Sequence, residues 1–175
     1  MERNRAIFLD RDGVINIDHG YTHRIADFAL VDGAAAAIRR ANAAGYLVLV
    51  VTNQGGIGLG YYGHEDVRLF HQHMQAELAR EQALITDFAY CPHHPQSPDP
   101  AQQGCSCRKP SPGMLLSLAE KHDVDLAASA MIGDRDTDVE AGRAAGARGF
   151  LFDGGNLDPL MVRVLAELDM RETIT

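Results

Sequence analysis

Two acidic residues directly follow the first apolar segment of the chain. The run Ala6–Leu9 leads into Asp10-Arg11-Asp12, and Gly13 then lets the backbone turn sharply. An apolar run of this kind is typical of a buried strand in a parallel sheet. The ligands of such sheets bind just beyond the carboxyl ends of the strands. Two carboxylates at that position therefore suit a cation and a nucleophilic displacement.

Three further segments place polar residues where apolar stretches end or a polar loop closes. They are Thr52-Asn53-Gln54-Gly55, Arg108-Lys109-Pro110, and Gly133-Asp134 with Asp138. Because the carboxyl ends of parallel strands share one edge of a sheet, we expect these acids, a hydroxyl and a lysine to meet there. Carboxylates suit a hard cation such as Mg²⁺, while a lysine, a hydroxyl and backbone N–H groups suit the oxygens of a transferring phosphoryl group. The pattern predicts magnesium-dependent phosphoryl transfer.

Each of these motifs also has a purely structural interpretation. A lone Asp-x-Asp is common in turns and helix caps, and a lone lysine is most often a solvated surface charge. Asp136 and Asp138 could favour the N-terminus of a following helix through its dipole, which is the interpretation we adopt for Asp136. The four motifs together favour a catalytic role.

The three cysteines of the chain lie in one short stretch that also holds two histidines. Residues i and i+2 of an extended backbone face the same side, so Cys91 and His93 form one pair of ligands and Cys105 and Cys107 another. Three cysteines and one histidine are a known structural zinc set. Register favours His93 over His94 as the fourth ligand. Reduced free thiols, or a disulfide between Cys91 and Cys107, are the alternatives, but a metal would also anchor the loop that leads to Arg108 and Lys109.

Strand and helix patterns alternate along the chain, which predicts a doubly wound parallel α/β sheet. The predicted strands are Arg5–Asp10, Tyr46–Thr52, Asp87–Cys91, Ala130–Gly133 and Arg148–Phe152. The predicted helices are Gly33–Ala44, His64–Ala83, Gly113–His122, Thr137–Ala145 and Pro159–Leu168. One domain spans residues 1–175 in this interpretation, with residues 91–107 inserted as the zinc loop. The long connection Val14–Asp32 is expected to serve function.

Composition narrows the possible partners. A formal net charge of −8 opposes nucleic acid and anionic membranes, and no apolar run approaches the length of a membrane span. An odd number of cysteines without an export signal argues against a disulfide framework. We therefore expect a cytoplasmic protein, monomeric and acting on a small molecule.

The four motifs, in the order in which they follow one another along the chain, resemble those of the haloacid dehalogenase (HAD) superfamily of phosphatases. The resemblance covers nearly the whole chain. The resemblance implies a single Rossmann-like domain without a cap, since 175 residues leave no room for one. It implies that Asp10 is the nucleophile, and that Asp12 protonates the leaving alcohol and then deprotonates the hydrolytic water. Thr52 and Lys109 would hold the phosphoryl group, with Asp138 near Lys109 or the metal. The implied Mg²⁺ ligands are Asp10, the backbone carbonyl of Asp12, Asp134 and the backbone of Arg135.

The cysteine loop narrows this resemblance. Cys-Pro-His-His-Pro, followed by Gly-Cys-Ser-Cys-Arg-Lys-Pro, is similar to the D-glycero-D-manno-heptose 1,7-bisphosphate phosphatases, which remove the C7 phosphate of a sugar bisphosphate. Histidinol-phosphate phosphatases carry a similar loop, but the thirteen residues between Cys91 and Cys105 favour the heptose enzymes. Arg108 matches the position that contacts the distal part of the substrate. The implied substrate-binding residues are Asp18, His19, Gly20, Tyr21, Asn53, Gln54, Gly55, Arg108 and Lys109.

Two positions depart from the pattern of that family. Gly55 stands where serine is frequent, and Arg135 stands where lysine is frequent. The first lies in a loop that binds through its backbone, and the second keeps the positive charge. A histidinol-phosphate phosphatase stays open as the nearest alternative. A catalytically inactive, zinc-stabilised binding module is the alternative from another class.

Overall fold

The computed structural model describes residues 3–172, with side chains described as far as Met170, so both ends of the predicted 1–175 domain lie outside the described residues. The strands are β1 (Ala6–Leu9), β2 (Leu47–Asn53), β3 (Asp87–Cys91), β4 (Ala130–Gly133) and β5 (Arg148–Leu151). The helices are α1 (Ala34–Ala43), α2 (His64–Arg80), α3 (Gly113–Lys121), α4 (Asp136–Ala145) and α5 (Leu157–Glu172). Short 3-10 helices lie at Ile25–Asp27, Pro100–Gln102 and Leu126–Ala128. Among the described residues, every helix is too short or too polar to cross a bilayer.

The five strands form one parallel sheet in the order β3-β2-β1-β4-β5. At the centre of this sheet, Leu9 of β1 lies opposite Val50 of β2 on one side and Ile132 of β4 on the other. The chain therefore winds outward in opposite directions from β1 and from β4. The carboxyl ends of these two strands form the topological switch point where α/β sheets bind ligands.

Both faces of the sheet are covered by helices, as the doubly wound prediction requires. Alternate residues of β1 point to opposite faces, so Ile7 and Leu9 pack in one core while Ala6 and Phe8 pack in the other. Helices α1, α2 and α5 cover the first face, and α3 and α4 cover the second. The buried face of α2 contains the predicted residues Val67, Phe70, Met74 and Leu78. This sandwich fixes the positions of the strand ends.

The predicted bounds need correction mainly at helix ends. Helix α2 stops at Arg80 rather than Ala83, since Gln82 has a left-handed φ of 57°. Helix α5 spans Leu157–Glu172 rather than Pro159–Leu168, because the side chain of Asn156 accepts a hydrogen bond from the backbone N–H of Asp158 and caps the helix two residues earlier. Strands β3 and β4 have the predicted bounds, and the other elements differ by one residue at one end or at both ends.

Candidate active site

The segments that follow β1 and β4 and the end of the cysteine loop meet around one buried lysine. The Nζ atom of Lys109 lies 2.8 Å from Oδ1 of Asp10 and 2.7 Å from Oδ1 of Asp138. It also donates a hydrogen bond of 2.7 Å to the carbonyl oxygen of Val51 in β2. Lys109 is only 4% exposed and Asp138 only 2%. The ammonium group is therefore held in one position by two carboxylates and a carbonyl.

More negative charge is gathered here than Lys109 can neutralise. Burial lowers the pKa of Lys109, but the attraction of Asp10 and Asp138 is stronger and the pKa is raised overall. Burial, with the neighbouring Asp10 and Asp138, raises the pKa of Asp134 to about 7. A carboxyl group whose pKa is raised by burial and by neighbouring acids is a favourable position for a cation.

The donor atoms fit such a cation. Carboxylate oxygens of Asp10, Asp134 and Asp138 all lie within 4.8 Å of one another. One oxygen of Asp134, Oδ1, is buried and has no hydrogen-bond partner among the described residues, so it is ready to bind a ligand. Gly13 allows this arrangement, because its φ is +85° and a Cβ there would lie 2.3 Å from the other oxygen of Asp134.

The carboxylate of Asp12 is not a member of this cluster and is held by its own donors. The Nε2 atom of Gln54 donates 2.9 Å to Oδ2 of Asp12, and Nδ2 of Asn16 donates 3.0 Å to Oδ1. Arg11 forms an ion pair of 2.9 Å with the same group. Gln54 is in turn fixed by Tyr62, whose hydroxyl donates 2.6 Å to Oε1 of Gln54. Asp12 is thus oriented independently of the lysine.

A cavity of about 600 Å³ opens over Asp10, Asp12 and Lys109. Its other lining residues are Asp18, Gly20, Tyr21, Asn53, Gln54, Gly55, Tyr62, His94, Arg108, Pro110, Arg135, Asp136, Thr137 and Asp138. Arg135 reaches across towards Asp18, with 3.8 Å between Nη2 and Oδ2. The Val14–Asp32 connection therefore forms one wall of the cavity.

Two of the predicted catalytic and substrate-binding residues, His19 and Thr52, are not part of the cavity lining, and neither is the predicted magnesium ligand Asp134. His19 is exposed, and its backbone N–H donates to Oγ1 of Thr22. Thr52 is 1% exposed, and its hydroxyl accepts a hydrogen bond of 2.8 Å from Gln54. In this structure Thr52 contacts the residue that orients Asp12 and does not face the open space above Lys109.

The second group of potential ligands is the cysteine loop. Nδ1 of His93 lies 3.3 Å from Sγ of Cys107 and 3.5 Å from Sγ of Cys91, and Cys105 lies 3.5 Å from Cys91. All three cysteines are free. The 2.9 Å between the sulfurs of Cys91 and Cys107 exceeds the roughly 2.05 Å of a disulfide bond. Three sulfurs and one imidazole nitrogen around one point fit a tetrahedral metal.

The cysteine loop is connected to the cavity wall by side chains. Asn53 accepts from the backbone N–H of Lys109 (3.0 Å) and donates to its carbonyl oxygen (3.2 Å). Arg108 donates 3.0 Å to the carbonyl oxygen of His93. A Cβ at Gly55 would lie 2.8 Å from the ring of His94 and 3.0 Å from Nη1 of Arg108. Glycine in place of serine therefore lets the loop pack closely on the cavity.

Sequence reasoning missed several cavity residues. It set His94 aside because its register turns it away from the zinc ligands, and that register is what turns it to the cavity. Tyr62 and Thr137 were not singled out, and neither sits in a motif that marks it. Outside the cavity lining, Arg11 is the largest omission, since its side chain is fully buried beside Asp12.

The fold and the site define a class of protein, the HAD-like hydrolases. The HAD-hydrolase-like family model matches residues 106–168. A HAD-like phosphatase from Mesorhizobium loti superposes with a TM-score of 0.88 at 32% identity, over 96% of this chain and 87% of that one. The D,D-heptose 1,7-bisphosphate phosphatase of B. bronchiseptica, solved with magnesium and phosphate, superposes with a TM-score of 0.78 at 32% identity, over 91% and 86%.

Curated relatives define the family more narrowly. A Rhodopseudomonas palustris protein is 45% identical over 167 residues, which cover 95% of this chain and 93% of that protein. An Escherichia coli K12 protein is 45% identical over 141 residues, which cover 80% and 74%. Both bear the name D-glycero-beta-D-manno-heptose-1,7-bisphosphate 7-phosphatase. The chain belongs to this family of phosphatases.

Proposed function

We propose that the protein is a magnesium-dependent phosphatase that removes the C7 phosphate from D-glycero-beta-D-manno-heptose 1,7-bisphosphate. The observation that carries the proposal is the contact of Asp10 with Lys109 at the switch point, below an open cavity lined by arginines. The names of the relatives support the choice of the heptose substrate.

In the proposed reaction, Asp10 and Asp12 divide the work. A carboxylate oxygen of Asp10 attacks phosphorus, the bond from phosphorus to the C7 oxygen breaks, and Asp12 gives its proton to that oxygen. Asp12 then takes a proton from water, which attacks the phosphorus of the aspartyl-phosphate and releases Asp10 with inorganic phosphate. The separation of the two carboxylates supports this division, since Asp10 contacts Lys109 whereas Asp12 contacts Gln54 and Arg11.

Lys109 and the cation share the electrostatic role. Asp10, Asp134, the Asp12 backbone carbonyl and the backbone at Arg135 would hold Mg²⁺. When bound, Mg²⁺ supplies a Lewis acid that withdraws charge from the phosphoryl oxygens. Lys109 places a second positive charge beside Asp10, and the ion pair of Lys109 with Asp138 holds the ammonium group in that position.

The pKa of Asp134 predicts how magnesium binding depends on pH. The pKa of this acid is raised from 3.8 to about 7, mainly by burial, so a proton occupies the carboxyl below neutrality. Mg²⁺ must displace that proton, and its affinity should rise by about tenfold per pH unit up to about pH 7 and then level off. The folding stability of the metal-free protein should change with pH in the opposite direction. A raised carboxyl pKa favours folding at low pH, and this contribution to stability is lost as the pH rises through about 7.

Titration calorimetry with MgCl₂ at about pH 5.5, 6.5 and 8 measures the predicted rise. The variant Asp134→Asn should lose magnesium binding, and the matched variant Asp136→Asn, an exposed acid at the start of α4, should keep the wild-type slope. Equal affinity at about pH 5.5 and pH 6.5 would show that no proton on Asp134 competes with the cation.

Arg108 is proposed to bind the phosphate that is not hydrolysed. It lines the cavity and is held at its edge by the carbonyl oxygen of His93. Replacing it by methionine should raise the KM for the sugar bisphosphate by about 10- to 100-fold, because a charge-assisted hydrogen bond is lost, with little change in kcat. The KM for a sugar monophosphate should barely change. An equal increase for both substrates would place the role of Arg108 elsewhere.

Zinc is proposed as a structural metal bound by Cys91, His93, Cys105 and Cys107. Four protein ligands leave no open position, so this site has no catalytic role. Reduced thiols persist in a reducing compartment, which supports a cytoplasmic enzyme. We take the chain to be one catalytic domain, acting as a monomer, into which residues 91–107 are inserted.

Phosphate release from a panel of substrates tests the proposed function. The panel contains both anomers of heptose 1,7-bisphosphate, a hexose bisphosphate, and histidinol phosphate, each with Mg²⁺. We expect the highest kcat/KM with the heptose bisphosphate, and release from C7 alone by NMR. Preferential turnover of histidinol phosphate would overturn the sugar assignment, and absence of turnover with every substrate would support the inactive binding module.

A further inference from the structure

Arg11 stands between the two acids of the first motif and is completely buried. Its side chain is 0% exposed, which is unusual for a charged group. The guanidinium group lies over the ring of Phe70 of α2, with 4.5 Å between Cζ and the ring centroid. A residue that borders the active site is thus packed deep into the fold.

One edge of the guanidinium group binds the carboxylate of Asp12. Nε lies 3.1 Å from Oδ1, and Nη2 lies 2.9 Å from Oδ1 and 3.1 Å from Oδ2. This paired contact restricts the rotation of the carboxylate, because the planar donors of arginine match both oxygens. Asn16 and Gln54 supply the remaining donors to Asp12.

The other edge of the guanidinium group ties Asp12 to two distant elements. Nη2 donates 2.6 Å to the carbonyl oxygen of Thr22, and Nη1 lies 3.3 Å from Nε2 of His71. Arginine has only donors, so His71 must accept and stay neutral. Burial and the charge of Arg11 lower the pKa of His71 to about 3, in agreement with this role. The hydroxyl oxygen of Thr22 also accepts a hydrogen bond from the backbone N–H of His19, which closes the turn of residues 18–22.

We propose that Arg11 is a positioning residue, which holds the carboxyl group of Asp12 where its protonated form can give a proton to the leaving oxygen, and which links Asp12 to the turn of residues 18–22 at the cavity wall. The proposal rests on the proposed function, because it takes Asp12 as the general acid. It adds that the acid is oriented by its neighbour in the chain, through a side chain that never touches substrate.

Leaving-group dependence distinguishes positioning from a merely structural role. A sugar phosphate needs a proton on its departing oxygen, whereas p-nitrophenyl phosphate releases a stable phenolate without one. We expect Arg11→Met to lower kcat/KM for the sugar phosphate by about 100-fold and kcat/KM for p-nitrophenyl phosphate by less than about fivefold. The ratio kcat/KM reports the steps up to departure of the leaving group, so it excludes the later hydrolysis of the aspartyl-phosphate, in which Asp12 also acts. Arg11→Lys keeps the charge but cannot contact Asp12, Thr22 and His71 together. It should therefore also lose more activity on the sugar phosphate than on p-nitrophenyl phosphate, but by a smaller factor. In an Asp12→Asn background, Arg11→Met should not change the ratio of the activities on the two substrates any further.

Each outcome decides the question. Equal losses of kcat/KM on both substrates in Arg11→Met would overturn the positioning role while leaving the proposed phosphatase function intact. If circular dichroism shows that Arg11→Met does not fold, the same comparison is made with Arg11→Lys. The positioning role would also be overturned if Arg11→Met caused the same difference between the two substrates in the Asp12→Asn background, since Arg11 would then act through another group. A wild-type protein inactive on both substrates would instead overturn the proposed function, and the role of Arg11 with it.

Discussion

Replacing Asp10 by asparagine should abolish phosphatase activity. The substitution keeps the size of the side chain but removes the nucleophilic oxygen, so kcat should fall by at least about 10³-fold. We expect the variant to keep the local structure, because Lys109 retains its contacts with Asp138 and with the carbonyl oxygen of Val51. Phosphate release at saturating substrate and Mg²⁺ measures the loss, and circular dichroism checks that the variant is folded.

The matched control for this prediction is Asp153→Asn. Asp153 is an exposed acid that follows β5 and does not line the cavity, so the same chemical change there should leave kcat within about twofold. If folded Asp10→Asn kept more than about a tenth of the wild-type kcat, Asp10 could not be the group that accepts the phosphoryl group.

Replacing His93 by glutamine should release the metal of the cysteine loop and reduce stability and activity together. The three sulfurs and Nδ1 of His93 converge on one point, and loss of one ligand leaves that set incomplete. Structural zinc supplies about 10–16 kcal/mol in zinc-finger peptides. A loss of only about 3 kcal/mol would lower the Tm by roughly 6–12 °C in a domain of this size. Activity should fall by more than about tenfold, because Lys109 lies at the end of the released loop.

The neighbouring histidine gives the matched control. His94→Gln changes the same type of residue one position away, outside the sulfur cluster, so zinc content and Tm should stay at wild-type values. Zinc is measured by mass spectrometry of the purified protein, and the Tm by calorimetry. Full zinc content in His93→Gln, together with loss of zinc in His94→Gln, would reverse the assignment of the fourth ligand. Wild-type activity in a protein verified to be free of zinc would refute the link between the loop and Lys109.

The position of the site in the fold could be predicted because it depends on a simple rule of topology. Parallel strands end at one edge of the sheet, so apolar runs that stop at Asp10 and Asp134 must bring these acids to the same edge. The contact of Lys109 with Asp10 follows from the same rule, once the loop before Lys109 is anchored near β2. The grouping of His93 with the three sulfurs followed from the alternation of side chains along an extended chain.

Burial and side-chain orientation could not be predicted in the same way. Arg11 carries a charge between two acids, which is typical of an exposed turn. Its burial depends on α2 and on the loop of residues 14–32, and the contact with His71 joins residues that are 60 positions apart. Thr52 stays a predicted phosphoryl-binding residue, but nothing in the Thr-Asn-Gln motif indicates that the amide of Gln54 donates to both Thr52 and Asp12. For Asp138 the sequence offered either a role at the start of the following helix or a position near Lys109 or the metal, and in the structure it accepts from the backbone N–H of Arg135 as well as pairing with Lys109.

The most direct test of this account is to trap the phosphorylated residue. Enzyme in excess over the sugar bisphosphate, with Mg²⁺, is quenched in acid within milliseconds and treated with borohydride, which reduces an aspartyl-phosphate to homoserine. Peptide mass spectrometry should find homoserine at position 10, only when both substrate and Mg²⁺ were present. Unmodified Asp10 throughout the turnover, or homoserine at another aspartate, would contradict the account.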